Sequence, residues 1–383
     1  MVFGRLTYAG ALGPEVVRQA THFRIKARGN FRKIMIGVVQ SEIVNKIPAT
    51  RPIVSDRPTI GVIESISTGF DAVLHQPWLM AIPLLLDLFL WLGPQIQAGP
   101  LYDKIAPSIP ALSTSVGTDP DAQLAVQQAG QMVQDFFTKF NLFSWLSAGP
   151  FGVPSLSAGA DPAAKNVFGV VPQAWQVSDL VTYLLLVIGL GVAGLFVAGL
   201  FWSMASNRIL GKAFDLPNQF RNGVTLWLNL VIFMAVLIGA ALALMVPLTL
   251  VMALLGALSV GLASLAPAVA LSLAMWALFY AAFTIHGVAL YGLPLRKSAR
   301  LSALIGRVYF APTMGLIGLS LAIYLGIGLI WDNFPIDSWL WLVAIAGHAL
   351  IATGLFLASF VYYQNRSSIL LDVMKAAQSP TTS

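Results

Sequence analysis

Between Leu226 and Leu290 the chain carries no charged residue. A helix through that run of roughly 65 residues would be about 100 Å long. A membrane-spanning helix needs about 20 mainly apolar residues. The run therefore holds two crossings, with a turn marked by Gly256, Ser259, Gly261 and Pro267. One helix is too few for it, and three would leave almost no loops.

The rest of the chain follows the same rule. Of its 383 residues 57% are hydrophobic and 10% charged, where a soluble domain carries about 25% charged residues. With a mean hydropathy of +0.78, a soluble enzyme and a disordered chain are both excluded. The fold class expected is an all-α polytopic membrane protein with six transmembrane helices. The spans fall at about 77–92, 180–205, 224–250, 265–291, 313–331 and 339–363.

Charge tests that count. Nineteen of the 22 Lys and Arg fall on one side of these spans with seven acids, a net of +12. The three others, Lys104, Lys139 and Lys165, share the opposite side with eight acids, a net of −5. Asp87, inside a span, completes the overall +6. By the positive-inside rule the basic side is cytoplasmic. Both termini are then expected inside, in a cell (inner) membrane.

Three regions follow: a basic arm over 1–58, a membrane domain over 59–365 and a cytoplasmic tail over 366–383. The arm lacks the apolar stretch of a secretory signal. Its cluster Arg24, Lys26, Arg28, Arg32 and Lys33 suits anionic head groups, and without a nucleic-acid motif it gives no reason to expect DNA or RNA. Met35 offers a second start, so whether residues 1–34 are translated stays open. There is no cysteine, which removes disulfides and thiolate chemistry.

Amphipathic stretches precede three of the spans. Ile60, Ile63, Ile66, Phe70, Val73 and Leu74 share a face before the first. Ile209, Leu210, Phe214 and Phe220 stand among basic residues before the third, and Leu301, Leu304 and Ile305 before the fifth. The expected layout is three hairpins, each introduced by an interfacial helix. The stretch GVIESISTGFDAVLHQPWLMAIPLLLDLFL resembles the opening of bacterial six-helix proteins related to the membrane domain of glycerophosphodiester phosphodiesterases. That resemblance, over about residues 60–365, implies a stand-alone membrane module and carries no catalytic residue across.

The outer loop 93–178 contains one amphipathic helix, about 120–146, capped by Asp119 and Pro120. Ala129, Met132, Val133, Phe136, Phe140 and Phe143 lie on its apolar face, which suits a packing lid or a gating flap. The Gly-, Pro- and Ser-rich remainder up to Pro172 reads as irregular. Small-residue ridges occur at Gly318, Ala322 and Gly326, at Ala266, Ala270 and Ala274, and at Gly194 with Ala198. They suit helix packing or, for the first, contact with another copy or a membrane partner. Trp78, Trp91, Trp175, Trp331, Trp339 and Trp341 fall at expected interfaces.

No nucleotide-loop, HExxH or CxxC motif is present, so neither an enzyme nor a cofactor or metal is expected. The candidate polar site is Asp87 with His348, both about 14–15 Å into their spans. An ionisable group at that depth must pair, lose its charge or face water. A structural pair and a proton relay are the two readings. His286, Asn229 and Thr284 are secondary candidates for lining a pocket near the cytoplasmic end. Two functions remain open: a non-enzymatic accessory or lipid-interacting factor, and a small transporter, proton-coupled through Asp87 and His348.

Overall fold

A computed structural model describes residues 60–108, 120–147, 151–161, 163–259, 265–331 and 333–378. The basic arm 1–58 and the Asp119 cap lie outside the described residues. The first compact unit of the chain is Thr50–Ser367. The account below concerns the first unit, apart from the last turns of the final helix.

Among the described residues, five helical segments are long and apolar enough to cross a membrane. They are α5 (Leu180–Ile209), α6 (Leu216–Leu258), the successive helices α7 (Leu265–Ala281) and α8 (Thr284–Tyr291), α10 (Phe310–Trp331) and α11 (Leu340–Gln378). A sixth is reached only by counting α1 (Val62–His75) together with the segment Pro77–Leu92. That segment is a turn of 3-10 helix, Pro77–Met80, leading into α2 (Ala81–Leu92). Gln76 leaves the helical region at φ −139°, ψ 73°. The following proline has no N–H to continue the ladder, and the chain bends by 98° there.

The seam between α1 and α11 is made of small residues. A Cβ on Gly69 would run into the Gly354 carbonyl oxygen and the Ala358 backbone. Such an approach leaves no room for large side chains. Ser65, Ile66, Gly69, Ala72 and Val73 are therefore the buried face of α1, while Ile63 and Leu74 are 76% and 63% exposed. The apolar face expected from sequence is thus split in two. Ile60 fixes the start of α1: its N–H donates to Asn365 Oδ1 (3.2 Å), and its carbonyl accepts from Arg366 Nη2 (2.9 Å).

Only a turn separates α5 from α6. Gly211 takes φ +65°, where a Cβ would be strained, and Asp215 caps α6 by accepting the Asn218 N–H. The stretch around Ile209–Phe220 therefore forms two helix ends and a turn, not a separate amphipathic helix. At 43 residues α6 runs eight past each expected bound. It is about 65 Å long, twice the hydrocarbon core of a bilayer. The sixth helix likewise continues to Gln378, so the expected tail begins as helix.

Two small-residue ridges turn inward. Gly194 receives the backbone of Trp145 and Leu146, and Ala198 and Ala266 are buried. The third does not: Gly318 and Gly326 have nothing within 4 Å of an added Cβ. Two of the six interfacial tryptophans are core residues. Trp91 and Trp341 are each 5% exposed and pack with Ala344 and Ile345.

The outer loop departs furthest from expectation. Its ends pair as a two-stranded parallel sheet, β1 (Gln95–Gln97) with β2 (Ala174–Gln176), in the register Ile96 opposite Trp175. Next to β1 stands the short helix α3 (Gly99–Ile105). The amphipathic helix α4 (Pro120–Lys139) ends before Phe140. Asn141 stops it by turning Oδ1 to the N–H groups of Ile96 and Phe143, each at 3.1 Å. Phe137 packs inward on Tyr183, whereas Met132, Val133 and Phe136 are exposed. Beyond α4 the chain, including the 3-10 segment Leu142–Ser147, follows α5 from Tyr183 past Gly194 to Trp202. There the Phe151 carbonyl accepts from Trp202 Nε1 at 3.0 Å. That is about 28 Å along the helix axis. The segment is thus held against α5 and, through Ser155 and Ser157, against α2. Between Val62 and Val308 one helix completes the set: α9 (Leu295–Val308), whose buried face is Ser298, Leu301, Ser302, Ile305 and Gly306.

Candidate functional site

Asp87 sits in the middle of α2 and is fully buried. Its Oδ1 accepts from the Ser155 hydroxyl at 2.5 Å and the Ser157 backbone N–H at 2.8 Å. Both donors belong to the inserted loop, whose backbone has no regular ladder to satisfy it. Non-helical backbone beside apolar helices is tolerated only where the protein supplies its partners. Asp87 is such a partner, and Ser155 extends the arrangement by accepting the Ala158 N–H at 3.1 Å.

The other carboxylate oxygen faces α11. Asp87 Oδ2 lies 3.7 Å from His348 Nδ1, and neither atom has a hydrogen-bond partner among the described residues. On its far side His348 Nε2 meets the Tyr324 hydroxyl of α10 at 3.1 Å. The structure thus brings Asp87 and His348 together and adds Tyr324, Ser155 and Ser157. The result is a polar line from the loop through α2 and α11 to α10. Beside Ser157 a hollow of about 20 Å³ is lined by Gln95, Asn141 and Asn166, room for about one water.

The secondary candidates separate. Asn229 spends its amide on the Thr225 carbonyl one turn back (2.8 Å), and it lines no cavity with His286. Thr284 is fully buried at the start of α8. It marks a break: the span expected as continuous over 265–291 is interrupted at Ala282 and Phe283. Serines of α9 bridge the gap. The Ser302 hydroxyl donates to the Tyr280 carbonyl (2.7 Å) and accepts the Phe283 N–H (3.0 Å). Ser298 donates to the Thr284 carbonyl. Two hydroxyls thereby satisfy the backbone groups that the break releases, at a site where water is scarce.

His286, on the short helix after the break, is 5% exposed. Its Nε2 lies 2.8 Å from the Ser359 hydroxyl of α11, and its ring packs edge-on to Trp202 and against Phe360. His286 and Ser359 form the polar end of a cavity of about 470 Å³. Trp202, Phe279, Phe356 and the loop residue Phe151 supply apolar walls. At its edge Met275 and Trp276 of α7 and Met314 and Ile317 of α10 are 61%, 46%, 45% and 36% exposed. The cavity therefore opens sideways between those helices. Its volume lies within the range of small-molecule sites.

Sequence reasoning reached Asp87, His348 and His286 because ionisable groups stand out in apolar runs. It missed Ser155, Ser157, Tyr324, Ser298, Ser302 and Ser359. A serine in a Ser-rich loop or on an amphipathic face carries no signal until its partner is placed. The molecule these elements define is a multi-pass helical membrane protein with an inserted loop and a side-opening apolar cavity. Set against known proteins, the chain matches no family model, no curated protein and no solved structure.

Proposed function

We propose that this chain is a non-enzymatic, lipid-interacting accessory factor of the inner membrane, spanning it six times with both termini cytoplasmic. In this reading α2 is the first crossing, and α1, turned by 98° from it, lies along the interface with Ile63 and Leu74 toward lipid. The basic segment 296–307 lies on the same side as the arm. The absence of cysteine makes single-cysteine reporters clean. Lys165→Cys should react with an impermeant maleimide from outside, and Lys212→Cys only after permeabilisation.

The observation that carries the lipid reading is the 470 Å³ cavity with its lateral mouth between α7 and α10. No charged side chain lines it. An apolar hollow opening on the hydrocarbon phase is filled by hydrocarbon, since water there would have few partners. Native mass spectrometry of the full chain released from its membrane tests this. Retained lipid is expected, and Ala282→Leu within the cavity or Ile317→Trp at its mouth should deplete it. A chain that carries no lipid, or carries it undiminished in both variants, would overturn the reading.

One observation favours the second reading, proton-coupled transport. Asp87, His348 and Tyr324 form a line of groups able to pass a proton. Asp87→Asn decides it, because an amide keeps the loop contacts yet carries no exchangeable acid proton. Loss of proton-dependent uptake in a folded variant would install transport in place of the accessory role.

A further inference from the structure

The serine bridges to α7 and α8 also fix the course of α9. Ser298 meets Thr284, Ser302 meets Tyr280 and Phe283, and a Cβ on Gly306 would touch the rings of Phe279 and Tyr280. As α9 advances its partners fall back in sequence, so it runs antiparallel along α8 and the end of α7. Its outer face therefore points sideways, away from those helices. Arg296, Arg300 and Arg307 all occupy that face. At 3.6 residues per turn they fall within about 40° of one another, opposite the buried Ser298 and Ser302. All three are exposed, and none has an ion-pair partner among the described residues. No acidic residue occurs between Asp215 and Asp332 to supply one locally.

This basic face adjoins the mouth of the cavity. Three residues after Arg307, Phe310 closes the end of the cleft between α7 and α10 nearest to α9. It stacks on Trp276 at 5.8 Å and meets Phe279 edge-on at 5.5 Å. Met314 and Ile317, the α10 side of the mouth, follow Phe310 by four and seven residues, about 6 and 10 Å along the axis. Charge first and an apolar opening one or two turns deeper is the order of groups in a glycerophospholipid. The guanidinium fork matches phosphate oxygens, and a zwitterionic headgroup would bring its own cation to a face with no acid to receive it. Resting on the lipid-interacting reading above, we infer that the cavity takes an acyl chain of an anionic glycerophospholipid. Arg307 holds the phosphate, and Arg300 and Arg296 extend the positive field along the same face.

The test uses the full chain in phosphatidylcholine nanodiscs doped with equal amounts of phosphatidylglycerol and phosphatidylethanolamine of the same chains. Lipid retained by the ejected protein is read by native mass spectrometry. Phosphatidylglycerol should be retained about tenfold over phosphatidylethanolamine, and Arg307→Gln should cut that preference about fivefold, the share of one surface cation. Arg307 is exposed, so this variant leaves the packing intact. Arg221→Gln, which removes an equal charge from α6, should leave the preference unchanged, and Ile317→Trp should deplete both lipids. Equal retention of the two lipids, or a preference that Arg307→Gln does not lower or that Arg221→Gln lowers as much, would overturn the headgroup assignment and leave the lipid reading intact. Retention of neither lipid by the unmodified chain would overturn both.

Discussion

Replacing Asp87 separates its two readings by magnitude. In Asp87→Ala the Ser157 N–H and the Ser155 hydroxyl both lose their acceptor. A buried donor left unpaired costs about 1–3 kcal/mol. The Ser155 hydroxyl is free to rotate and recovers part of its share, whereas the Ser157 N–H is fixed by the chain. Removing a buried carboxylate offsets some of the loss. The net destabilisation should be about 2–4 kcal/mol. Asp87→Asn keeps an oxygen at the same place and loses only charge assistance, about 1 kcal/mol. Its new amide faces His348 Nδ1, and the ring can accept there because Nε2 then carries the proton and donates to the Tyr324 hydroxyl. The assay is hydrogen–deuterium exchange over 151–161, with denaturant unfolding in mixed micelles alongside. Asp87→Ala should expose the loop amides and Asp87→Asn should leave them protected. Equal exchange in the two variants, or protection in both, would refute the claim that this carboxylate holds the loop.

Other consequences follow from packing and capping. Gly69→Ala should destabilise by about 1–3 kcal/mol, because its Cβ meets fixed backbone of α11. Gly318→Ala, with open space around it, should be neutral in the monomer by the same unfolding assay. Ser302→Ala should cost about 1–3 kcal/mol by stranding the Phe283 N–H at the helix break, and exchange at 279–285 should report it. Asp179, accepting the Thr182 N–H at the start of α5, has its carboxyl held below the ordinary range by that bond. Its contribution is present above the ordinary carboxylate pKa and lost as pH falls through the depressed one. The protection of the Thr182 amide, relative to its intrinsic exchange rate at each pH, should therefore fall at acid pH, and in Asp179→Ala it should be low at every pH.

What was legible in the sequence was the part set by bulk solvation. Charge-free runs of about 20 residues have few alternatives to a helix in lipid, so the spans after the first fall close to where hydropathy puts them. The ends do not. Hydropathy reads where the solvent changes, while a helix ends where its last groups find caps. Thus α6 begins at the Asp215 cap, well before the apolar run. The break inside 265–291 was illegible for a related reason. Ala282 and Phe283 carry no glycine or proline signal, and the serines that permit the break stand on α9, 14 to 22 residues from the groups they bond.

The inserted loop shows the same principle at the candidate site. A Gly-, Pro- and Ser-rich segment reads as irregular, and irregular backbone ordinarily needs water. Here Asp87 and Trp202 stand in for that water, one as acceptor and one as donor. An acid deep in a span and an irregular segment 68 to 70 residues further on are each anomalous alone and consistent together. The same insertion ties the two sites. Ser155 and Ser157, held by Asp87, follow Phe151 by four and six residues, and Phe151 is a wall of the His286 cavity. Releasing the loop should therefore loosen that wall. Asp87→Ala, though it touches no cavity residue, should lower lipid retention while Asp87→Asn leaves it unchanged. If lipid retention instead followed Ala282 and Ile317 variants alone, the carboxylate would serve stability only, and the two sites would be independent.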